Sequence, residues 1–240
     1  MSKKAWIIFA VIVVGLLTAL VISSRNANPP VDVGSVNPTT IQAASSQNGN
    51  IADHTFGASN SKVTLIEYGD FECPYCGQAH PQIKAITQQY ANQITFVFRN
   101  FPITTAHPNA KAAAAAVEAA GLQGKYWDMH NLIYESQSTW QDLTGSDRDN
   151  QFLAYAKQLG LDGTKFTADV ASSAVLKKIA FDMAIAAKIG VDSTPTFYLD
   201  GNAVSTDIVQ DAETSNGDKL RALINTELQK AGIALPTTNS

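Results

Sequence analysis

The chain has 240 residues, 45% of them hydrophobic and 16% charged, with a formal net charge of −4 and two cysteines. That apolar content excludes a wholly disordered chain, and two cysteines exclude a disulfide-scaffolded miniprotein. With 17 basic against 21 acidic residues there is no broad basic field to attract phosphates, which argues against a nucleic-acid partner.

Residues 5–22 read AWIIFAVIVVGLLTALVI, without a charge. As a helix this stretch would be roughly 27 Å long, close to the hydrocarbon thickness of a bilayer. Lys3 and Lys4 precede it and Arg25 follows, so the positive-inside rule places the N-terminus in the cytoplasm. A cleaved signal peptide has a shorter apolar core and an A-x-A-like site, which Ser23 to Asn26 do not offer. Residues 1–22 are therefore expected to be a cytoplasmic tip and an uncleaved transmembrane anchor, with the rest exported. Residues 23–53 carry Pro29, Pro30 and Pro38 among many Ser, Asn, Thr and Gln, and no aromatic residue, so they read as a flexible linker. The remaining 54–240 read as one folded domain.

In that domain Lys62 to Tyr68 is β-branched and apolar, a buried strand. Gly69 to Glu72 then turn into Cys73-Pro74-Tyr75-Cys76, where Pro74 suits the first turn of a helix running to about Tyr90. Pro81 is expected to kink it. Ile94 to Arg99 is a second strand, and the helix between is long enough for a crossover, so the two strands are predicted to be parallel. A helical block follows, an insertion over about 102–190. Its last helix places Leu176, Ile179, Met183 and Ala187 at core spacing. Thr196 to Asp200 reads as a strand, Ala203 to Val209 as its hairpin partner and Gly217 to Ala231 as a final helix. The order is βαβ, a helical block, then ββα.

C-x-x-C admits several chemistries. A structural zinc site needs four ligands, and no second Cys or His pair has matching spacing, although His80 lies four residues after Cys76. A purely structural bridge would close a four-residue loop, which stabilises little. A redox pair fits best: a thiolate at a helix N-terminus is favoured by the macrodipole and free N–H groups. Cys73 would be the exposed attacking sulfur, and Cys76, one turn inward, would resolve the mixed disulfide. The neighbouring Glu72 would oppose the thiolate. His54, His107 and His130 read as polar surface or cap residues.

EYGDFECPYC after a strand, FRNFP on the next strand and GVDSTPTFYLDG after the helices resemble the DsbA-like family of the thioredoxin superfamily, specifically its membrane-anchored or secreted single-domain branch. The resemblance covers about 53–231 and implies a thioredoxin-like α/β fold with a helical insertion. It puts the nucleophile on Cys73 and matches Thr194-Pro195 to a threonine–cis-proline pair facing the cysteines. It also matches Glu67, six residues before Cys73, to a buried acid that moves the proton when Cys76 attacks. Thr194, Pro195, Pro74 and Tyr75 would contact substrate, an extended segment pairing beside Pro195.

The resemblance further implies an exported, membrane-tethered thiol–disulfide oxidoreductase of the bacterial cell membrane. It would act on cysteine-containing exported proteins as a monomer, needing no cofactor or metal, and a quinone-linked membrane partner would reoxidise it. The same pair could run as a reductase or isomerase. A redox-inert adaptor that binds peptides is the reading from another class, and the intact Cys73, Cys76, Glu67 and Pro195 argue against it.

Overall fold

The structure, a computed structural model, describes residues 31–236 together with positions 6, 9, 10, 12–15, 17 and 18. The chain divides into two units, Met1–Asp32 and Val33–Ser240. The anchor expected over 5–22 and the start of the linker lie mostly outside the described residues; the described positions between 6 and 18 are helical. Among the described residues, no helix is long and apolar enough to cross a membrane.

The second unit is organised on β2 (Thr64–Gly69), a strand buried from Leu65 onward. It pairs in parallel with β3 (Thr95–Asn100), Glu67 beside Phe98, and antiparallel with β4 (Thr196–Leu199), Glu67 beside Phe197. Two short strands complete the edges, β1 (Thr55–Gly57) on β3 and β5 (Asn202–Ala203) on β4, in the order β1-β3-β2-β4-β5. The crossover from β2 to β3 is α1 (Pro74–Gln89), which runs on through Pro81. Between β3 and β4 stands the helical insertion: α2 (Ala110–Gly121), α3 (Tyr126–Glu135), α4 (Gln137–Trp140), α5 (Gly145–Gln158), α6 (Gly163–Val170) and α7 (Ser173–Lys188). After β5 come α8 (Thr206–Thr214) and α9 (Asp218–Ala231).

Alternation along the strands sends Leu65 and Glu67 to one face and Ile66 and Tyr68 to the other. The first face joins Phe96, Phe98, Phe197 and Leu199 to the inner sides of α1 (Cys76, Ala79, Ile83, Ile86) and α9 (Leu220, Ile224, Leu228) in one apolar core. Burial of these side chains is the main stabilising contribution, about 1.5–3 kcal/mol for each large one. The second face is also buried but carries charge. Arg99 donates to Asp53 Oδ2 at 2.7 Å, to the Tyr68 hydroxyl at 2.8 Å, and to the carbonyls of Pro38 and Thr40. Lys178 Nζ bridges Asp53 Oδ1 (2.9 Å) and Asp182 Oδ1 (2.6 Å).

Three sequence expectations are corrected by these contacts. The linker predicted over 23–53 is not free in its second part: Val33 onward belongs to the folded unit. There Asp53 pairs with Arg99 and Lys178, and Lys188 Nζ donates to the carbonyls of Val33, Gly34 and Val36 at 3.0, 2.8 and 2.7 Å. Polar and charged bonds hold this segment, which a reading of apolar content misses. The hairpin partner expected over 203–209 is cut to two residues, because α8 begins at Thr206. The inner face of α7 is also turned from the predicted one. Leu176 and Met183 are exposed, whereas Lys178 and Asp182 are buried beside Ile179, Phe181 and Ile185, their charges compensating each other.

Candidate active site

Cys73 ends the turn after β2. Its extended backbone (φ −64°, ψ 124°) makes it the N-cap of α1, with Pro74 in the first turn and the Cys73 carbonyl accepting from Gly77 N–H at 3.1 Å. Proline fits there because its missing N–H would have no intrahelical partner. The turn is held by Asp70, which is buried: one carboxylate oxygen accepts from Glu72 N–H (2.8 Å), the other from Ile103 N–H (2.8 Å) and pairs with His107 Nδ1 (2.7 Å). From the insertion, the Gln137 amide donates to the carbonyls of Phe71 (2.8 Å) and Cys73 (3.0 Å). Gly77 leaves room for it; a Cβ there would stand 2.6 Å from Gln137 Oε1.

Both cysteines are free thiols. Cys73 is only 3% exposed, which corrects the expectation of an exposed sulfur: Pro74 and Tyr75 form the outer surface, Tyr75 at 57% exposure, and the sulfur lies beneath. Its Sγ donates to the Thr194 carbonyl at 3.4 Å, across the cis Thr194–Pro195 peptide bond. Hydrogen bonding from the Cys76 thiol, aided by Thr194 and the backbone N–H groups of Cys76 and Tyr75, outweighs burial and lowers the Cys73 pKa to about 6. Cys76 is pushed the other way, well above its ordinary value, by burial and then by Cys73 and Glu67. Two thiols one turn apart are thus made unequal, one ionised near neutrality and one held protonated.

Glu67 lies on the same sheet face as Phe98 and Phe197, and its carboxyl is raised to about 8 by burial and then by the charge of Cys73. A carboxylic acid still protonated at neutral pH therefore sits within electrostatic reach of both sulfurs. Glu72 does not turn on Cys73: it accepts from Asn109 N–H at 2.6 Å, at the start of α2. Burial raises its pKa and the backbone groups of Asn109 and Ala110 oppose the rise. The three histidines are not free surface groups either. His130 is buried and its pKa lowered to about 3 by burial, His54 Nε2 pairs with Glu118 Oε2 at 2.9 Å, and His107 holds Asp70.

Beside Cys73 a groove of about 320 Å3 runs between Tyr75, the Ser193–Thr196 turn and one side of α8. All seven residues named from the sequence therefore converge. Cys73, Cys76 and Glu67 lie beneath, whereas Pro74, Tyr75, Thr194 and Pro195 form the cover and the adjoining groove wall. Among those the sequence reading missed, Asp70 had a local signal, an aspartate in a Gly-Asp turn that accepts from the backbone two residues on. Gln137, Asn109 and the α8 residue Glu213 are brought in by tertiary structure alone. Among the described residues no group of three or more His, Cys, Asp or Glu side chains is placed to hold a metal ion.

A dithiol at a helix N-terminus, a buried acid behind it and a cis-proline turn across from it, on a sheet with a parallel β2–β3 pair, define a site of the thioredoxin class, equipped for dithiol–disulfide chemistry. The family model described as thioredoxin matches residues 49–225, and the chain belongs to that family, with the DsbA-like form of its fold. A solved thioredoxin-like oxidoreductase from Silicibacter pomeroyi is similar at 28% identity and a TM-score of 0.54, covering 71% of this chain and 92% of that one. The thiol–disulfide exchange protein alpha-DsbA2 of Wolbachia pipientis shares the fold at 20% identity and a TM-score of 0.60, covering 73% and 87%. The Na(+)/H(+) antiporter NhaA 1 of Salinispora arenicola is 42% identical over 149 residues, which are 62% of this chain and 22% of that protein. The chain therefore spans about a fifth of the length of the curated relatives it matches.

Proposed function

We propose that the chain donates its Cys73–Cys76 disulfide to cysteine pairs of exported proteins at the outer side of a bacterial membrane. The observation that carries this reading is the inequality of the two thiols, Cys73 near 6 and Cys76 far higher, beside a protonated Glu67. A substrate thiolate attacks the Cys73 sulfur, the Cys73–Cys76 bond breaks, and Cys76 leaves as a thiolate that takes a proton from Glu67, the buried acid whose charge it feels. A second substrate thiolate then attacks the substrate sulfur of the mixed disulfide, freeing Cys73 as its thiolate. The substrate has lost two electrons and the pair has gained them.

Direction follows from which redox form the fold favours. Lowering Cys73 from 9 to about 6 stabilises the dithiol at pH 7 by about 1.4 kcal/mol, roughly 30 mV toward a more oxidising pair. The reduced pair must be reoxidised, and a quinone-linked membrane protein suits that role. Residues 5–22, uncharged and preceded by Lys3 and Lys4, support tethering with the N-terminus in the cytoplasm and the catalytic domain outside. The matching segment in proteins named as Na(+)/H(+) antiporters is consistent with work beside a membrane, and antiport itself is not carried over. No dimerisation segment stands out in the sequence, and the site is complete within one chain, so a monomer suffices.

Equilibration of the pair against glutathione buffers tests the direction. A potential near that of thioredoxin, about −270 mV, would assign it to reduction, and one well above that value supports oxidation. Cys76→Ser is expected to accumulate mixed disulfides through Cys73 with exported proteins, detected on non-reducing gels, whereas Cys73→Ser forms none. The reading fails if Cys76→Ser captures no thiol protein.

A further inference from the structure

The groove beside Cys73 has a mixed lining with one charged member. Pro195, Val204, Val209 and the Tyr75 ring supply its apolar part, and threonines and Gln210 much of the rest. On α8, Val209, Gln210 and Glu213 lie at helical spacing and present one side to it, so the Glu213 carboxylate lines the groove. Glu213 is half-buried, and no basic side chain among the described residues pairs with it. It also feels the Cys73 sulfur electrostatically, which fixes it near the point of exchange. Apolar side chains, an aromatic ring and an unpaired carboxylate lining one groove are the complement of one kind of side chain. A lysine or arginine lays its aliphatic stem on apolar surface and carries its cation to the ring and the carboxylate.

We propose that Glu213, with Tyr75, makes this groove a specificity site for substrates that carry a lysine or arginine beside the cysteine that attacks Cys73. The proposal rests on the dithiol-exchange function above and names the substrate class for the same site. In the exchange step the basic residue sits in the groove while the substrate thiolate attacks the Cys73 sulfur and Cys76 is released. Glu213 takes no part in making or breaking bonds. It positions the substrate and opposes acidic neighbours, which would bring two carboxylates together in a partly desolvated cleft.

The test uses the oxidised full-length protein and single-cysteine peptides that differ only in whether Lys, Gln or Glu follows the cysteine. Rates of loss of the Cys73–Cys76 disulfide are measured for each peptide. They are divided by the same peptide's rate against the uncharged disulfide of 2-mercaptoethanol, which removes intrinsic differences in thiol reactivity. The normalised Lys-to-Glu ratio is expected to be about threefold to tenfold for the native chain and to shrink at 1 M salt. It should fall to about one in Glu213→Gln and below one in Glu213→Lys. A native ratio of one, or a ratio unchanged in Glu213→Gln, overturns the proposal and leaves dithiol exchange standing. If no peptide reacts with the native disulfide, dithiol exchange fails and this inference fails with it. If Glu213→Gln does not fold, Glu213→Ala at the same half-buried helix position is read in its place, with the same expected ratio of about one.

Discussion

At the scale of single residues the site works by setting neighbouring groups against one another. Cys73 and Cys76 are the same residue type one helical turn apart, yet the first faces N–H groups and a thiol donor while the second faces apolar side chains and Glu67. Alkylation of the reduced protein should report this. Its rate for Cys73 is expected to rise through a midpoint near pH 6, while Cys76 stays unreactive over the same range; a midpoint near the ordinary 9 would contradict the geometry. Glu67 has a cost that can be measured. Its folded pKa of about 8 lies above the ordinary 4.5, so the folded state binds the extra proton. Its contribution to stability is fully present below pH 4.5 and is lost as pH rises toward 8. Glu67→Gln is therefore expected to stabilise the domain at pH 7 by on the order of 3 kcal/mol in urea unfolding, while slowing release of Cys76. A buried acid kept at such a cost is what a proton-transfer role requires.

At the scale of elements, α7 separates what periodicity reveals from what it hides. Its apolar residues allow two inner faces, and the predicted one, through Leu176 and Met183, is exposed. The observed face carries Lys178 and Asp182, which a hydropathy count places in water. Their burial depends on Asp53, 125 positions before Lys178, and on Asn100, whose N–H donates to Asp182 Oδ2 at 3.1 Å. Leu176→Gln is expected to change stability by less than about 0.5 kcal/mol, as for other surface positions. Lys178→Ala should cost about 3–5 kcal/mol, because it leaves buried Asp182 without its cation and facing Asp53. Equal effects of the two substitutions would contradict this orientation. The elements legible in the sequence, β2, α1, β3, β4 and α9, are those whose burial pattern and end signals are local. Cys73 and Cys76 were legible for the same reason, since C-x-x-C is a short spacing, whereas Glu67 and Pro195 were reached through the resemblance of their motifs to the DsbA-like family. The start of α8 inside an expected strand, the Gln137 bridge and the Glu213 wall depend on partners far away in the chain, and no local pattern encodes them.

For the whole molecule, the folded unit begins near Val33 and not at 54. Arg99 and Lys178 lose a shared carboxylate if Asp53 is removed, and Arg99 also loses the Pro38 and Thr40 carbonyls. A chain beginning at residue 54 is expected to lose at least 3–5 kcal/mol, about the cost of breaking one buried pair, relative to a chain beginning at 33. Urea midpoints of the two truncations measure this, and equal midpoints would show the segment to be an ornament. The insertion is likewise part of the machine: through Gln137 on the Phe71 and Cys73 carbonyls, and through Asn109 N–H on Glu72, it grips the turn that carries the nucleophile. Membership of the thioredoxin family accounts for the sheet and the dithiol, while the grip on the turn comes from helices added between β3 and β4.

The bonds made by residues 33–53 also bear on the order in which the molecule comes into being. Ribosomes deliver these residues first, but Arg99 arrives 46 positions after Asp53, and Lys188 arrives 155 positions after Val33. Until α7 has been made, the opening stretch has few of its native partners and behaves as loose thread. The folded unit therefore closes on residues 33–53 only after α7 has been made. Its earliest residues are gathered in late, and completion of the domain is announced at the place where the thread leaves it.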